Sequence, residues 1–273
     1  MIALDLTKHH GLGNDFLVVH DLDHPDPAAL ARQLCDRRRG IGADGLLVGT
    51  EVPGHDARMV LYNADGSRAE MSGNGIRCFA QAVAMRGHEA NELQILTDAG
   101  PREVAFVGQP FEAGPGPGIT VEARVDMGEV SDLDQPDGWD ELGCHPDRPV
   151  AHLDLGNPHS VVGVDDVAIV DLAELGGKVP HVNLEIIEPG PAPDAITMRV
   201  HERGAGITEA CGTGASAAAY AARSWGLVAA TGDEVVVHMD GGTARVGFAA
   251  HAPRRVALTG PTTYVATITI DVR

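Results

Sequence analysis

The feature that most constrains the fold is a pattern that this chain carries twice. EMSGNGIRC begins at Glu70 and EACGTGASA begins at Glu209. Each sets serine or cysteine before Gly-x-Gly, and each runs into small and apolar residues that stop at a glycine. The stops are Gly87 and Gly226, each 15 residues beyond Ser72 or Cys211. Serine is a favoured helix start and glycine a favoured stop, so the spacing predicts helices over about Gly75 to Arg86 and Gly214 to Ser224. Upstream of each copy lies a second shared element, the Leu-Gly-Asn of HHGLGNDF and of HLDLGNPHSVVGV. Asn14 precedes Ser72 by 58 residues and Asn157 precedes Cys211 by 54. Two elements in one order at near-equal spacing predict two halves related by duplication.

The remaining segments fill out those halves. ALDLT, LVVH, LLVG, ARMVLYN, LQILT and REVAFVG read as strands of the first, with a helix from about Pro27 to Arg38. VEARVDMG, ITMRVHERG, a hairpin of EVVVHM and ARVGFA around DGG, and two strands RRVALTG and TYVATITIDV follow in the second. The two Leu-Gly-Asn segments read as loops. The expected fold class is α/β (α+β), with two pseudo-symmetric halves, each a mixed β-sheet wrapped around a central helix, and the active site in the cleft between them. The Gly- and Pro-rich Gly108 to Gly118 is the expected linker. The halves are then residues 1–117, joined by the last strand 262–273, and residues 118–261. A length of 273 residues suits two such cores. Gly40, Gly42 and Gly45 spell G-x-G-x-x-G, but they follow a helix and lead into a strand. A dinucleotide fingerprint needs the reverse order, so that reading is set aside.

A net charge of −19 opposes nucleic acid and anionic membranes as partners. No apolar run reaches the roughly 18 to 20 residues of a membrane helix, and MIALDLTKHH is no signal peptide. The expected location is the cytoplasm. Cys35, Cys78, Cys144 and Cys211 lie far apart with no C-x-x-C, which is neither a disulfide framework nor a metal pattern. Lysine occurs only at Lys8 and Lys178. Neither lies in a motif for a Schiff base, so pyridoxal phosphate chemistry is not expected.

The repeated device has a chemical use. A helix N-terminus offers unpaired N–H groups and partial positive charge, so it attracts a carboxylate, and glycines let the ligand approach. A cysteine at that place is expected to have its thiol pKa lowered and to serve as a base. Two such helix ends could hold one carboxylate and exchange a proton at both faces of the adjacent carbon. One copy alone would read as a helix cap. Two copies with matched asparagine segments favour chemistry.

On HGLGNDF, the NADGS of YNADGSRAEMSGNGIRC, GNPH, VNLE and ERGAGITEACGTGA, the chain resembles the diaminopimelate epimerases nearly end to end. The resemblance implies cofactor-independent interconversion of L,L- and meso-diaminopimelate, on the route to lysine and peptidoglycan. Proline racemases share the Cys-Gly-x-Gly logic, but they generally place histidine after the first Cys-Gly and lack the Glu-Arg-Gly-x-Gly lead-in. The resemblance implies that Asn63, Asn157, Asn183 and Arg203 hold the distal carboxylate and amine, with Asn14 lining the pocket. Backbone N–H groups of Gly73, Asn74, Gly212 and Thr213 would hold the reacting α-carboxylate. His159 and Glu202 would set the protonation of the transfer groups, and Cys211 would be one acid/base. Many such enzymes are dimers, so a homodimer is the expected assembly.

The chain departs from the family at Ser72, where the family has cysteine, and at Ile207, where it usually has an acidic residue. Serine does not titrate near neutrality. Cys78, six residues into the helix, is read as core rather than as a substitute base. Three readings of Ser72 follow: an epimerase whose base has been exchanged for serine, a natural variant acting on another amino acid or as a lyase, or a non-catalytic amino-acid-binding paralogue.

Overall fold

Residues 2–87, 90–108, 118–229 and 233–272 are described by the computed structural model, and they belong to two units. Unit 1 comprises Met1–Val125 and Gly260–Arg273, and unit 2 comprises Asp126–Thr259. Most of the expected linker, 109–117, lies outside the described residues. The division between the units falls inside two strands rather than in coil, at 125/126 and 259/260 instead of 117/118 and 261/262.

In unit 1, β1 (Ile2–Gly11) and β2 (Asn14–His20) form an antiparallel hairpin. The segment read as a loop is therefore mostly strand. Its two-residue turn, Leu12 and Gly13, has φ of 55° and 84°, the left-handed pair that suits a tight right-twisted hairpin. Helix α1 (Pro27–Cys35) leads to β3 (Gly45–Thr50), which runs parallel to β2. The helix ends three residues before Arg38, because the Asp36 carboxylate accepts from the N–H groups of Arg38 and Arg39 and turns the chain. Antiparallel β4 (Ala57–Asn63) follows, then the short β5 (Arg68–Ala69) and helix α2 (Gly73–Met85). Next, β6 (Glu92–Thr97) runs parallel to β4, and β7 (Gly100–Val107) and the start of β8 (Thr120–Glu129) extend the sheet antiparallel.

Unit 2 repeats this sequence of connections. The hairpin is β10 (Val150–Asp154) and β11 (Pro158–Gly163), with the short β9 (Ser131–Asp132) beside β10. Helix α3 (Leu172–Lys178) leads to β12 (Asn183–Pro189), parallel to β11, and β13 (Ala195–Glu202) is antiparallel to that. The short β14 (Gly206–Thr208) and helix α4 (Gly212–Ser224) precede β15 (Glu234–Met239), parallel to β13. Antiparallel β16 (Gly242–Ala249) and the start of β17 (Ala252–Val272) close the unit. The two segments RRVALTG and TYVATITIDV are thus one strand, not two. Its ladder with β16 stops at Thr259, and its ladder with β1 starts at Thr263. Pro261 sits in the gap, where no ladder N–H is required.

In each unit one helix is central. Every residue of α2 from Gly73 to Ala84 is buried, and α4 is buried along the run from Gly212 to Ala219. A helix without a solvent face is packed on all sides. The opposite sheet face is covered by α1 in unit 1, through Leu17, Val19, Leu30, Leu34, Leu46 and Val48. In unit 2, α3 and the 3-10 turn Trp139–Leu142 do the same, through Trp139, Val162, Leu172, Leu184 and Ile186. Strand alternation does the sorting: Leu184 and Ile186 turn toward α3, leaving Glu185 for the α4 side.

His9 of β1 packs against α2 with Nδ1 2.9 Å from Gln81 Oε1 and Nε2 3.0 Å from Thr7 Oγ1. Burial lowers its pKa from 6.5 to about 4, partly offset by the Gln81 bond. An unfolded chain protonates this ring near 6.5 while the folded one resists until about 4. Its contribution to stability is therefore complete above the unfolded value and is lost as pH falls toward the folded one. Urea unfolding compared at neutral pH and at about pH 4 is expected to show a loss on the order of 3 kcal/mol from this ring. The same measurement on His9→Gln should show a correspondingly smaller loss.

Candidate active site

Each N-cap of a central helix carries the residue that the repeated pattern marked. Ser72 is extended, with φ −141° and ψ 123°, and its Oγ accepts from the Gly75 N–H at 3.0 Å. Cys211 has φ −127° and ψ 118°, and its Sγ accepts from the Gly214 N–H at 3.4 Å. Both helices start two residues earlier than the pattern predicted, so Gly73, Asn74, Gly212 and Thr213 form their first turns. Four N–H groups of a first turn lack partners within the helix, and these glycines bring them close to any ligand.

Each upstream asparagine bonds to the side chain of the second residue of its turn, as acceptor in unit 1 and as donor in unit 2. Asn74 Nδ2 donates to Asn14 Oδ1 at 3.3 Å in unit 1, and Asn157 Nδ2 donates to Thr213 Oγ1 at 3.3 Å in unit 2. Asn14 is held in turn by Asp44, to which its Nδ2 donates at 2.7 Å. Asn63 ends β4, opposite Gly45, and donates to Ser67 Oγ at 3.0 Å within its own turn. In unit 2 the Asn183 Oδ1 accepts from the Arg203 N–H at 2.9 Å, and its Nδ2 donates to the Pro158 carbonyl at 3.1 Å. The Arg203 side chain is exposed, while Glu202 accepts from the Thr208 hydroxyl. His159 is wholly buried, with Nδ1 2.7 Å from Glu185 Oε1 and Nε2 2.9 Å from Asn157 Oδ1. Ile207 lies exposed on β14.

Strand register aligns the two sites residue by residue. Phe16 pairs with Gly45 and Leu46 with Tyr62 in unit 1, while His159 pairs with Asn183 and Leu184 with His201 in unit 2. Phe16, Leu47 and Asn63 thus occupy the places of His159, Glu185 and Glu202, and Arg77 of α2 that of Ser216 of α4. The electrostatics are opposite. Arg77 is fully buried, donating to the Gly73 carbonyl at 3.0 Å and Asn74 Oδ1 at 2.6 Å, and it forms no ion pair among the described residues. Gly11 and Gly260 make its room: a Cβ on either would lie 3.3 or 3.2 Å from Nη2. Burial pulls its pKa down to about 10, which still leaves it charged at neutral pH. A buried cation without a carboxylate costs several kcal/mol, so the α2 end is a place that favours negative charge.

Cys211 lies in the contrary field, and here the expectation of a lowered thiol pKa is corrected. Burial, then Glu202, then Glu185 push it well above the ordinary thiol range, against the smaller pull of the Thr213 hydroxyl and the Gly214 N–H. The helix end is outweighed by desolvation and two carboxylates. Cys78 is fully buried and raised to about 11, chiefly by desolvation, in keeping with a core residue. Lys8 is bound by Asp15 at 2.8 Å and the Gly42 carbonyl at 2.7 Å, and Lys178 by Glu174 at 2.9 Å.

Sequence reading passed over Arg77 and Glu185, although Arg77 stands out as the single charge in GNGIRCFAQAVAM and Glu185 as the single charge in VNLEII. A cavity of about 280 Å³ on the α3 side of unit 2, lined by Leu142, Cys144, Val164, Val170 and Leu184, holds none of the marked residues.

The family model described as diaminopimelate epimerase matches residues 6–131 and 152–265. A diaminopimelate epimerase from Halothermothrix orenii is 36% identical over 285 residues, covering 95% of each chain. Another from Magnetococcus marinus is 39% identical over 277 residues, covering 94% of each. Among solved structures, a Bacillus anthracis phenazine biosynthesis protein of the PhzF family has a TM-score of 0.75 at 14% identity, with 100% of both chains covered. A probable proline racemase from Agrobacterium radiobacter has a TM-score of 0.72 at 16% identity, covering 99% of this chain and 93% of that one. These two likenesses establish the fold alone.

Proposed function

The chain belongs to the diaminopimelate epimerase family of isomerases, and from that premise we propose that it interconverts L,L- and meso-diaminopimelate by two-base proton transfer at the α-carbon, with its activity curtailed by Ser72. The observation that carries this reading is the matched pair of N-caps, Ser72 on Gly75 and Cys211 on Gly214, each with an asparagine bonded to its first turn. No separate cofactor is needed in this chemistry. N–H groups at a helix start stabilise the charge that develops on the α-carboxylate when the neighbouring proton leaves. Gly73, Asn74, Gly212 and Thr213 supply those groups, Cys211 supplies one acid/base, and His159 and Glu202 set its protonation. Both lysines are engaged elsewhere, which supports a reaction without a Schiff base. Lysine and peptidoglycan synthesis in the cytoplasm is the setting this reading implies.

Asn63, Asn157, Asn183 and Arg203 complete the reading as the group that selects a second, distal carboxylate. Arg203 matches a carboxylate with a planar fork, and its backbone is fixed by Asn183. Calorimetry on Arg203→Ala is expected to show diaminopimelate binding weakened by about 2 to 5 kcal/mol, the scale for leaving a desolvated charge without its partner. Binding as tight as the parent's would remove Arg203 from the site. Comparable affinity for proline would move the assignment to the racemases, and binding of diaminopimelate without turnover in any variant would favour an amino-acid-binding paralogue.

A further inference from the structure

Glu185 stands at the far end of a run of hydrogen bonds that finishes on Cys211. Its Oε1 lies 2.7 Å from His159 Nδ1, and His159 Nε2 lies 2.9 Å from Asn157 Oδ1. The Asn157 amide donates to Thr213 Oγ1 at 3.3 Å, and that oxygen is 3.5 Å from Cys211 Sγ. Glu185 and His159 are both completely buried. The carboxylate reaches beneath the first turn of α4 only because residue 214 is glycine, where a Cβ would lie 2.6 Å from Oε1. The other oxygen, Oε2, is buried and without a hydrogen-bond partner among the described residues. A group so enclosed acts through its neighbours. Unit 1 has Leu47 in its place and Phe16 in that of His159, so the sheet itself does not require the pair.

We propose that Glu185 is a positioning residue that holds a proton on His159 Nδ1, making Nε2 the ring atom whose proton comes and goes and coupling it through Asn157 and Thr213 to the Cys211 thiol. This rests on the reading of Cys211 as an acid/base. The coupling follows from what each group can donate. An amide has one accepting and one donating end. With a proton on Nε2, Asn157 presents Oδ1 to the ring and its NH₂ to Thr213, whose own hydrogen then turns to Sγ and stabilises a thiolate. With Nε2 bare, the amide turns over, accepts from the Thr213 hydroxyl, and leaves that oxygen to accept from the S–H. A proton on Nε2 and a proton on Sγ are thus alternatives, and the number of protons is conserved between the two arrangements. A carboxylate against Nδ1 is what keeps the ring from switching its proton to the wrong nitrogen. The titratable groups facing this chain are His159 on β11, Glu185 on β12, Glu202 on β13 and Cys211 itself.

Ring ¹⁵N NMR of histidine-labelled protein tests the first half, with His159→Gln assigning the resonances. The unaltered chain is expected to show the neutral ring carrying its proton on Nδ1, against Glu185 Oε1. In Glu185→Leu the neutral ring should carry its proton on Nε2, and the remaining histidine signals report whether that protein is folded. Glu185→Met, closer in shape and equally without an acceptor, takes its place if it is not. Kinetics in the Ser72→Cys background test the second half: Glu185→Leu should lower kcat about 10- to 100-fold with KM nearly unchanged, the scale for a partner that orients a working histidine. Glu185→Gln, which keeps an acceptor, should retain the Nδ1 proton and recover part of kcat. A neutral ring protonated on Nε2 in the unaltered chain, or a Glu185→Leu protein with unchanged tautomer or kcat, overturns the proposal. Failure of the epimerase reading looks different, since Ser72→Cys would then be inactive with or without Glu185.

Discussion

Ser72→Cys is expected to raise epimerisation of diaminopimelate at least about 100-fold, the usual scale for a positioned acid/base. The geometry already suits it. Ser72 Oγ takes the Gly75 N–H at 3.0 Å as Cys211 Sγ takes the Gly214 N–H at 3.4 Å, and the two backbones differ by little more than ten degrees. Only the chemistry of the atom is missing. A hydroxyl hydrogen-bonds but does not ionise near neutral pH, and each pKa unit of mismatch costs about 1.4 kcal/mol. The local field favours an anion here, since Arg77 lies one turn below with no carboxylate partner among the described residues and the positions matching His159, Glu185 and Glu202 hold Phe16, Leu47 and Asn63. The introduced thiol should accordingly ionise at lower pH than Cys211, which alkylation at each site against pH would read. Equal turnover of the two proteins would show that Ser72 is not what limits this chain. A faster Ser72→Cys protein whose rate falls back when Arg77 is replaced by methionine would assign the field to that guanidinium.

The duplicated device was legible because its signal is local. Helix caps and the glycines beside them announce themselves within a few residues, and the repetition of both elements fixed the two-unit plan. Misreadings arose where the decisive partner is distant in sequence. Leu12 in a left-handed turn gives no warning of a hairpin, since asparagine or glycine is the usual occupant. Gly260 and Pro261 look like a strand end, and only the ladder gap between Thr259 and Thr263 explains why a strand can pass through them. Helix α3 and strand β12 lie within LAELGGKVPHVNLEIIEP, where the paired glycines and the proline hide a helix of only seven residues and the strand behind it. The sign of the Cys211 shift was out of reach for a similar reason. It depends on Glu185 and Glu202, which lie 26 and 9 residues away in sequence and come under the same helix only through the β12–β13 pairing.

That shift sets the second large effect, expected in the chain with Ser72 in place. Cys211 is then the single thiol able to remove an α-proton, and Ser72 cannot readily deliver one from elsewhere. In D₂O, one stereoisomer of diaminopimelate should exchange its α-hydrogen and keep its configuration, while the other exchanges far more slowly. The rate should also climb with pH. Because burial and the carboxylates of Glu202 and Glu185 hold the thiol above its ordinary pKa, only a small fraction is thiolate near neutrality, and that fraction grows about tenfold for each unit until the pKa is reached. Exchange followed by proton NMR from about pH 7 to pH 9 should therefore rise on the order of 100-fold. Glu202→Gln removes the second of the causes and should shift the same curve toward lower pH. A rate already level at neutral pH would mean that the helix end outweighs desolvation and both carboxylates. Equal exchange of both isomers, or inversion keeping pace with exchange, would reveal a second base. No exchange at any pH would leave the thiol without a catalytic role, and the chain would then be one that binds its amino acid without turning it over.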